Sequence, residues 1–351
     1  MTVRISNCDL AVLGTGLAVP GAPVTTEELV LKLDRMGVKG AKLCGAIAKK
    51  LGVNNRYFCR AAESPVETPC AGSTNPELAS SALEQALHEA GITANDLQYL
   101  LTHTTSPHTS LPPNASWVAD RLEYDGPYAE IRQACTGFAN AMMLAVGMLN
   151  GEDERAIGIV GSETGTVYLD TRLIDEDRDQ LVNTAQMGDG AGAIVVARRN
   201  GHRGSHIPFV YYGTLGHGKK PGLTLYMGGS SQAHDLTAFR HDFTHVKESG
   251  MELIRTGLNV ALQAGLELSD IDWIIPHQAN GRMDEVLAPE LGVPREKIFV
   301  CATEYGNTGS ASIWMAFHRL RTSGKLKSGS KVLVLGAEAT KFMLGGFLYI
   351  H

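Results

Sequence analysis

The sequence predicts an α/β fold in which two similar halves are packed together in layers. An internal repeat relates the halves, and each half alternates apolar strands with helices. The composition favours the same class, because 39 glycines against 6% aromatic residues suit the tight turns of a layered α/β protein better than a β-sandwich. With 351 residues, 44% of them hydrophobic, the chain can bury one large core or two fused modules.

The first repeated unit is a helix that stops at a glycine, followed by a short turn and an apolar strand. Residues 86–106 align with residues 261–280 at a constant offset once one residue is dropped. Helical spacing of apolar residues precedes a strand-like run in each copy, YLLT in the first and WIIP in the second. The matched residues are Gly91 and Gly265, Asp96 and Asp270, and His103 and His277.

A second repeated unit pairs residues 155–165 with residues 330–340 and places Glu163 on Glu338. Each half also holds a strand, a glycine-containing turn and a mostly apolar helix, at 130–149 and at 299–320. Because helices link consecutive strands, we expect largely parallel sheets whose polar residues converge at the carboxyl ends of the strands. The residues at such ends are His103, His277, Cys135 and Asn307.

We expect the halves to be residues 1–198, with the nucleophilic cysteine, and residues 199–351, with the histidine and the asparagine. The link between them is polar and glycine-rich at its start. Residues 213–236 lack clean periodicity, and we predict that they form a loop or lid bearing pocket residues.

Charge and segment patterns exclude several classes of protein. The formal net charge is −6, which argues against a nucleic acid as the principal partner. No signal peptide or long apolar span is evident, so we expect a cytoplasmic protein without a membrane contact. Six cysteines without a dense pattern predict free thiols, and neither a disulfide scaffold nor a metal site.

Cys135 is the candidate nucleophile. It lies in the run QACTGF, where a strand-like segment meets a helix. The free amides and the dipole at a helix amino end favour an anion, so we expect the pKa of this thiol to be lowered and its thiolate to attack an acyl group. The other five cysteines, including Cys70 and Cys301, are interpreted as structural.

His277 and Asn307 are candidate partners of this thiol. His277 follows the strand WIIP in PHQAN, and Asn307 lies in YGNTGSAS ahead of a buried helix. Two neutral hydrogen-bond donors beside a nucleophile could hold a thioester or enolate oxygen as negative charge develops. The duplication supports the grouping, because it brings both residues to the same pseudo-twofold centre as Cys135.

These motifs together resemble the ketoacyl-ACP synthase III family of the thiolase superfamily. The resemblance covers nearly the whole chain and implies the thiolase fold, five αβαβα layers built from two duplicated halves. It also implies a Cys-His-Asn triad at Cys135, His277 and Asn307. The motifs that carry it are VLGTGLAVPGAPVTTEEL, THTTSPHTSLPPNA, QACTGF, IVGSE, MGDGAGAIVV, IDWIIPHQAN and YGNTGSAS.

The resemblance also implies a homodimer that needs no cofactor. An acyl group passes from CoA or an acyl carrier to Cys135, and a malonyl thioester on acyl carrier protein then condenses with it as CO2 is lost. The resemblance implies an oxyanion hole formed by backbone amides of Cys135 and Thr340. It also implies carrier docking at Arg282 and an apolar cap from Leu111 on the acyl pocket of the partner.

Two departures from the family pattern stand out. Glu338 replaces an apolar residue that normally faces the nucleophile, and it could raise the basicity of His277, act as a base, or turn outward to Lys341. The aromatic and arginine residues that hold the CoA adenine are not found in residues 33–58. Either Arg56 and neighbouring lysines bind the phosphates differently, or the donor is not CoA.

The leading hypothesis is a decarboxylative condensing enzyme of specialised fatty-acid or polyketide biosynthesis. An alternative is acyl transfer from the same acyl-cysteine to an oxygen or nitrogen nucleophile, or thioester hydrolysis. An alternative of another class is a non-catalytic partner subunit, against which the intact Cys135 argues.

Overall fold

The computed structural model describes residues 2–64, 73–151, 153–200, 202, 204–225 and 239–351. Cys70 and residues 226–236 of the expected lid lie outside this part of the chain. Within the described residues there are thirteen strands and ten α-helices. The strands are β1 (Thr2–Ala18), β2 (Val24–Thr25), β3 (Asn55–Arg56), β4 (Leu97–Thr104), β5 (Tyr128–Arg132), β6 (Ala156–Glu163), β7 (Gly190–Arg198), β8 (His206–Thr214), β9 (Leu223–Leu225), β10 (Phe239–His241), β11 (Trp273–Pro276), β12 (Lys331–Glu338) and β13 (Met343–Ile350). The helices are α1 (Thr26–Arg35), α2 (Ala41–Lys50), α3 (Asn75–Ala90), α4 (Asn114–Arg121), α5 (Gly137–Leu149), α6 (Arg178–Gln186), α7 (Phe243–Gln263), α8 (Met283–Leu291), α9 (Ala302–Tyr305) and α10 (Ser312–Thr322).

Nine strands form one sheet in the order β11-β12-β13-β8-β1-β7-β6-β4-β5. The halves meet where β1 pairs antiparallel with β8. Outward from this seam, β7, β6, β4 and β5 follow on one side, and β13, β12 and β11 follow on the other. Ile298 pairs parallel with β11 at the place that β5 takes in the first half. The matching order and strand directions confirm the duplication that the repeat predicts.

The expectation of largely parallel sheets is wrong. Only the pairs β4–β5, β4–β6 and β11–β12 of this sheet are parallel, and its other neighbouring strands run antiparallel. The connection from β12 to β13 shows the physical reason, because residues 339–342 are too few for the crossover that a parallel pair needs. The site-forming ends of β4, β6, β11 and β12 still belong to the parallel parts.

Helices and strands stack in five layers. Helix α3 packs on β1, β7 and β6 of the first half, and α7 packs on β12 and β13 of the second. Helices α5 and α10 lie between the halves: α5 contacts β4, β6, β8 and β13, and α10 contacts β7, β1 and β11. This arrangement confirms the predicted layering. It also puts the amino ends of both central helices between the two repeated sets of strand ends.

The central layer is the largest apolar core. Trp314 and Phe317 of α10 pack against Phe138 of α5 and Phe347 of β13, with ring centroids 5.5–6.4 Å apart. All four side chains are almost completely buried. Burial of such rings from both halves fixes the two central helices against each other, and so fixes the loops that precede them.

The repeated helices end as the sequence predicts. Gly91 closes α3 with a φ of 69°, and Gly265 follows α7 with a φ of 93°. Both glycines adopt the left-handed conformation that favours a residue without a Cβ. A 3₁₀ turn then leads into β4 and β11, respectively.

The predicted boundary at residues 198 and 199 lies in the connection between β7 and β8, and it stays a prediction. None of the described helices combines the length and the apolar character needed to cross a bilayer.

Candidate active site

Cys135 lies in the turn between β5 and α5, two residues before the helix begins. It faces a cavity of about 90 Å³ that Asn307 and Thr340 also line. The fold therefore brings three of the predicted site residues to one cavity, from the first half, from the α9–α10 connection and from the end of β12. The other lining residues are Thr105, Ala134, Glu163, Asn183, Gln186, Met187, Leu223, Leu225, His241 and Gly309.

The carboxylate of Glu338 sits at the amino end of α5. Thr136, the residue after Cys135, donates its backbone N–H and its hydroxyl to Glu338 Oε2, at 2.9 and 2.7 Å. The Thr340 hydroxyl donates to Oε1 of the same carboxylate. Glu338 is 2% exposed, so the expectation that it could turn outward to Lys341 is wrong.

A second buried carboxylate flanks Cys135 from the first half. Glu163, the repeat partner of Glu338, accepts the hydroxyls of Thr105 and Ser106 at one oxygen. At its other oxygen it accepts the backbone N–H and the hydroxyl of Ser310, at 3.0 and 2.8 Å. Sequence reasoning did not name Glu163 as a site residue, although the repeat alignment had paired it with Glu338.

The pKa of the Cys135 thiol is raised well above its ordinary value. Burial is the largest cause, and the charges of Glu338 and Glu163 add to it in that order. The expectation of a lowered thiol pKa is therefore wrong. The helix amino end is present as expected, but a carboxylate already occupies it.

His277 lies just after β11, with its Nδ1 3.3 Å from the hydroxyl of Ser312, the first residue of α10. Burial lowers the pKa of this imidazole to about 4, so it is neutral at physiological pH. No charge from Glu338 contributes to that shift. In the tautomer that places the proton on Nε2, Nδ1 accepts the Ser312 hydroxyl and Nε2 is left to donate.

Asn307 follows a turn that requires glycine. Gly306 has a φ of 70°, and a Cβ there would lie 2.7 Å from the carbonyl oxygen of Gln186. The Asn307 side-chain oxygen accepts the Gly309 N–H at 3.1 Å. Its NH₂ group is therefore the part of the carboxamide left to donate to a molecule in the cavity.

Hydrogen bonds join this segment to the loop that carries Cys135. Ser310 donates its hydroxyl to the carbonyl oxygen of Gln133 at 3.2 Å. Gln278, next to His277, donates its side-chain N–H to two carbonyls and accepts the Cys301 N–H at 2.8 Å. The Gln278 bonds tie the end of β11 to residues 299–301 ahead of α9, and the Ser310 bond ties the segment before α10 to the loop that carries Cys135. Gln278 is a positioning residue that sequence reasoning did not identify.

His103, the repeat partner of His277, does not join the site. It is completely buried, and its Nε2 accepts the Trp314 indole N–H at 3.0 Å. Burial lowers the pKa of its imidazole to about 3. A Cβ at Gly137 or Gly161 would lie within 2.6 Å of its ring, so His103 fills a space that these glycines leave open.

The expected phosphate contact from Arg56 is also wrong. Arg56 is completely buried and donates to the Thr26 hydroxyl at 2.8 Å and to the Ala185 carbonyl at 2.9 Å. Such a guanidinium anchors α1 to α6 and cannot meet a phosphate at the surface.

Two further predicted residues lie at the surface. Arg282 precedes α8, is half-exposed, and pairs with Glu285, its Nη1 lying 3.0 Å from each carboxylate oxygen. Leu111 is 85% exposed. Within the expected lid, residues 223–225 form β9 instead of a loop, and Leu223 and Leu225 line the cavity as pocket residues.

Among the described residues, no group of three or more His, Cys, Asp or Glu side chains is arranged to hold a metal ion. The cavity lining itself offers the Cys135 thiol, the Asn307 carboxamide and the Glu163 carboxylate, whereas His277 and Glu338 are not among the residues that line it.

Sequence comparisons give one consistent result. The family described as 3-Oxoacyl-[acyl-carrier-protein (ACP)] synthase III matches residues 129–216, and its C-terminal part matches residues 262–346. The chain is 32% identical to the beta-ketoacyl-[acyl-carrier-protein] synthase III of Erythrobacter litoralis, over 97% of each protein. It is 30% identical to the enzyme of that name from Sinorhizobium medicae, over 96% of each.

Solved structures agree with the sequence relatives. The tetronic acid condensing enzyme AbyA1 superposes with a TM-score of 0.85 at 25% identity, over 97% of this chain and 100% of that one. The priming β-ketosynthase of the R1128 polyketide pathway superposes with a TM-score of 0.77 at 26% identity, over 98% of this chain and 96% of that one.

Proposed function

The chain belongs to the beta-ketoacyl-[acyl-carrier-protein] synthase III family of condensing enzymes, and from this premise we propose that Cys135, His277 and Asn307 form a carbon–carbon bond in two half-reactions. The five-layer architecture is the thiolase fold. An acyl group first moves from a CoA or carrier thioester to Cys135. A malonyl thioester on acyl carrier protein then loses CO2 and attacks that acyl group.

The placement of Asn307 is the observation that carries this proposal. Its side-chain oxygen is held by Gly309, so its NH₂ group is available beside Cys135 in the same cavity. A neutral His277, which can donate from Nε2, supplies a second donor. Two such donors stabilise the enolate that forms as the malonyl carboxylate leaves as CO2.

The first half-reaction needs stabilisation of a tetrahedral oxyanion. We propose that the backbone amides of Cys135 and Thr340 supply it, because both residues line the cavity. The Thr340 hydroxyl is bound to Glu338, which holds this residue in place. No cofactor is required in either step.

The cavity lining favours an uncharged acyl group. Ala134, Met187, Leu223 and Leu225 present apolar surface, which suits an uncharged acyl chain on Cys135. The exposed Leu111 is proposed to cap the acyl pocket of the partner in a homodimer, where its apolar side chain would be covered.

Intact-protein mass spectrometry identifies the donor. The wild-type protein is incubated with a panel of acyl-CoA and acyl-carrier thioesters, and each adduct is assigned by its mass. An adduct from at least one uncharged acyl thioester is expected. Absence of any adduct across both sets would contradict the proposal.

Carrier docking is proposed at Arg282. Arg282 and Arg295 share the carboxylate of Glu285, so an acidic partner has to compete with that one carboxylate for the Arg282 guanidinium. Arg282→Glu is expected to raise the KM for carrier-borne malonyl by roughly tenfold at low salt. Steady-state kinetics with carrier-borne and CoA-borne malonyl measure the effect.

Glu285→Gln is the matched variant, because it removes the carboxylate that Arg282 shares with Arg295 and should lower the same KM. Equal changes with both malonyl substrates would show that Arg282 has a structural role.

A further inference from the structure

We infer that Glu338 is a positioning residue for the nucleophile: its carboxylate occupies the amino end of helix α5 and so keeps Cys135 a neutral thiol in the resting enzyme. This inference rests on the proposed role of Cys135 as the acyl acceptor. It assigns a specific effect to the glutamate at position 338, where the family resemblance implies an apolar residue.

The contacts of Glu338 carry the inference. A helix amino end exposes backbone N–H groups and bears a partial positive charge, which would stabilise a thiolate at Cys135. Glu338 takes the Thr136 N–H and the Thr136 hydroxyl with one oxygen, and the Thr340 hydroxyl with the other. The partial positive charge at the amino end of α5 is thereby paired with the Glu338 carboxylate, which is bound to Thr136, the residue that follows Cys135.

Glu338 differs from every other ionisable group near Cys135. Glu163 is the other carboxylate, but it binds Thr105, Ser106 and Ser310 and has no bond to α5. Burial lowers the pKa of the nearby imidazoles and raises the pKa of Tyr212, so these groups are neutral at physiological pH. Around the cysteine loop, Glu163 on β6 and His241 on β10 line the same cavity, His103 on β4 lies against Gly137, and the Tyr212 hydroxyl on β8 accepts the Gln133 side-chain N–H at 2.8 Å. Arg132 on β5 pairs with Glu130, and His277 after β11 lies next to Ser312.

The protonated thiol has to lose its proton before its sulfur attacks, because the thiolate is the nucleophile. In acylation, the S–H bond of Cys135 breaks and its sulfur bonds to the acyl carbon, while the bond from that carbon to the donor sulfur breaks. The proton lost by Cys135 is the one that the departing donor thiolate gains, so no other reactant is needed. Below the pKa of the thiol the nucleophile is protonated, and its reactivity therefore rises as the pH rises.

Alkylation by iodoacetamide tests the inference without any acyl substrate. The rate of Cys135 modification is followed by intact-protein mass spectrometry from neutral to alkaline pH, with the modified residue located by peptide mapping. In the wild type, the half-maximal rate is expected above the ordinary thiol value of about 8.5. In Glu338→Gln, the profile should move by about one pH unit or more to lower pH, so that the rate at pH 7 increases about tenfold.

Glu163→Gln is the matched control, because it removes the repeat-related carboxylate that does not touch α5, and it should shift the profile less. Glu338→Asp keeps the charge and should restore most of the wild-type profile. Superimposed profiles of wild type and Glu338→Gln would overturn the inference. If Glu338→Gln does not fold, the wild-type profile decides alone, because a midpoint at or below the ordinary thiol value would also overturn it.

Failure of this inference can be told apart from failure of the proposed function. A shifted alkylation profile in a protein that takes no acyl group from any thioester would overturn the proposed function only.

Discussion

Replacing Cys135 with alanine is expected to abolish acyl-enzyme formation. The thiol is the nucleophilic side chain at the cavity that the proposal assigns to the acyl group, and alanine offers no atom to which an acyl group can bond. The rate of condensation by this variant should also fall to the detection limit. Intact-protein mass spectrometry after incubation with the donor measures the loss directly.

Cys301→Ala is the matched control for this experiment. Cys301 is a free thiol that is buried, whereas Cys135 is only partly buried. Burial raises the pKa of Cys301 to about 12, and this residue lies at the start of α9, away from the cavity. This variant should acylate at the wild-type yield. An adduct of unchanged yield on Cys135→Ala would remove Cys135 as the acyl acceptor.

Asn307→Ala is expected to separate the two half-reactions. The carboxamide is assigned to the enolate that forms during decarboxylation, and it is not needed to load Cys135. Loss of one such donor costs about 10²- to 10³-fold in rate, so release of CO2 from the malonyl substrate should fall by that factor. Self-acylation of the same variant should remain close to wild type and serves as the internal control.

Two related variants refine this result. Asn307→Asp has nearly the same volume but loses the NH₂ donor, so it should be as defective as the alanine variant. His277→Ala should show a similar loss, because it removes the second donor. Release of CO2 at the wild-type rate by Asn307→Ala would favour acyl transfer to an oxygen or nitrogen nucleophile over condensation.

The repeat made much of the fold predictable. A constant offset between two distant segments indicates that both form the same local structure, and β4 and β11 indeed follow helices that end near Gly91 and Gly265. The same reasoning brought Cys135 and Asn307 to one centre. Strand direction was not predictable in this way, because alternation of apolar residues is the same in parallel and antiparallel strands.

The electrostatics of the site could not be predicted from local sequence. The helix amino end next to Cys135 was evident, but its partner is Glu338, a residue more than half the chain away. Only the folded arrangement shows that the carboxylate points to Thr136 and not to Lys341. By contrast, the pairing of Arg282 with Glu285 was predictable from the sequence, because the two residues are three positions apart at the start of α8.

The central claim, that Cys135 carries an acyl group which a decarboxylating malonyl unit then removes, is tested most directly by a single-turnover chase. Acylated wild-type enzyme is freed of donor and mixed with malonyl-carrier protein, and the enzyme mass, the carrier mass and CO2 are followed together. The adduct should disappear with release of one equivalent of CO2, as a ketoacyl carrier two carbons longer than the primer forms. Transfer of the unaltered acyl group to carrier, water or another nucleophile without CO2 would contradict the claim.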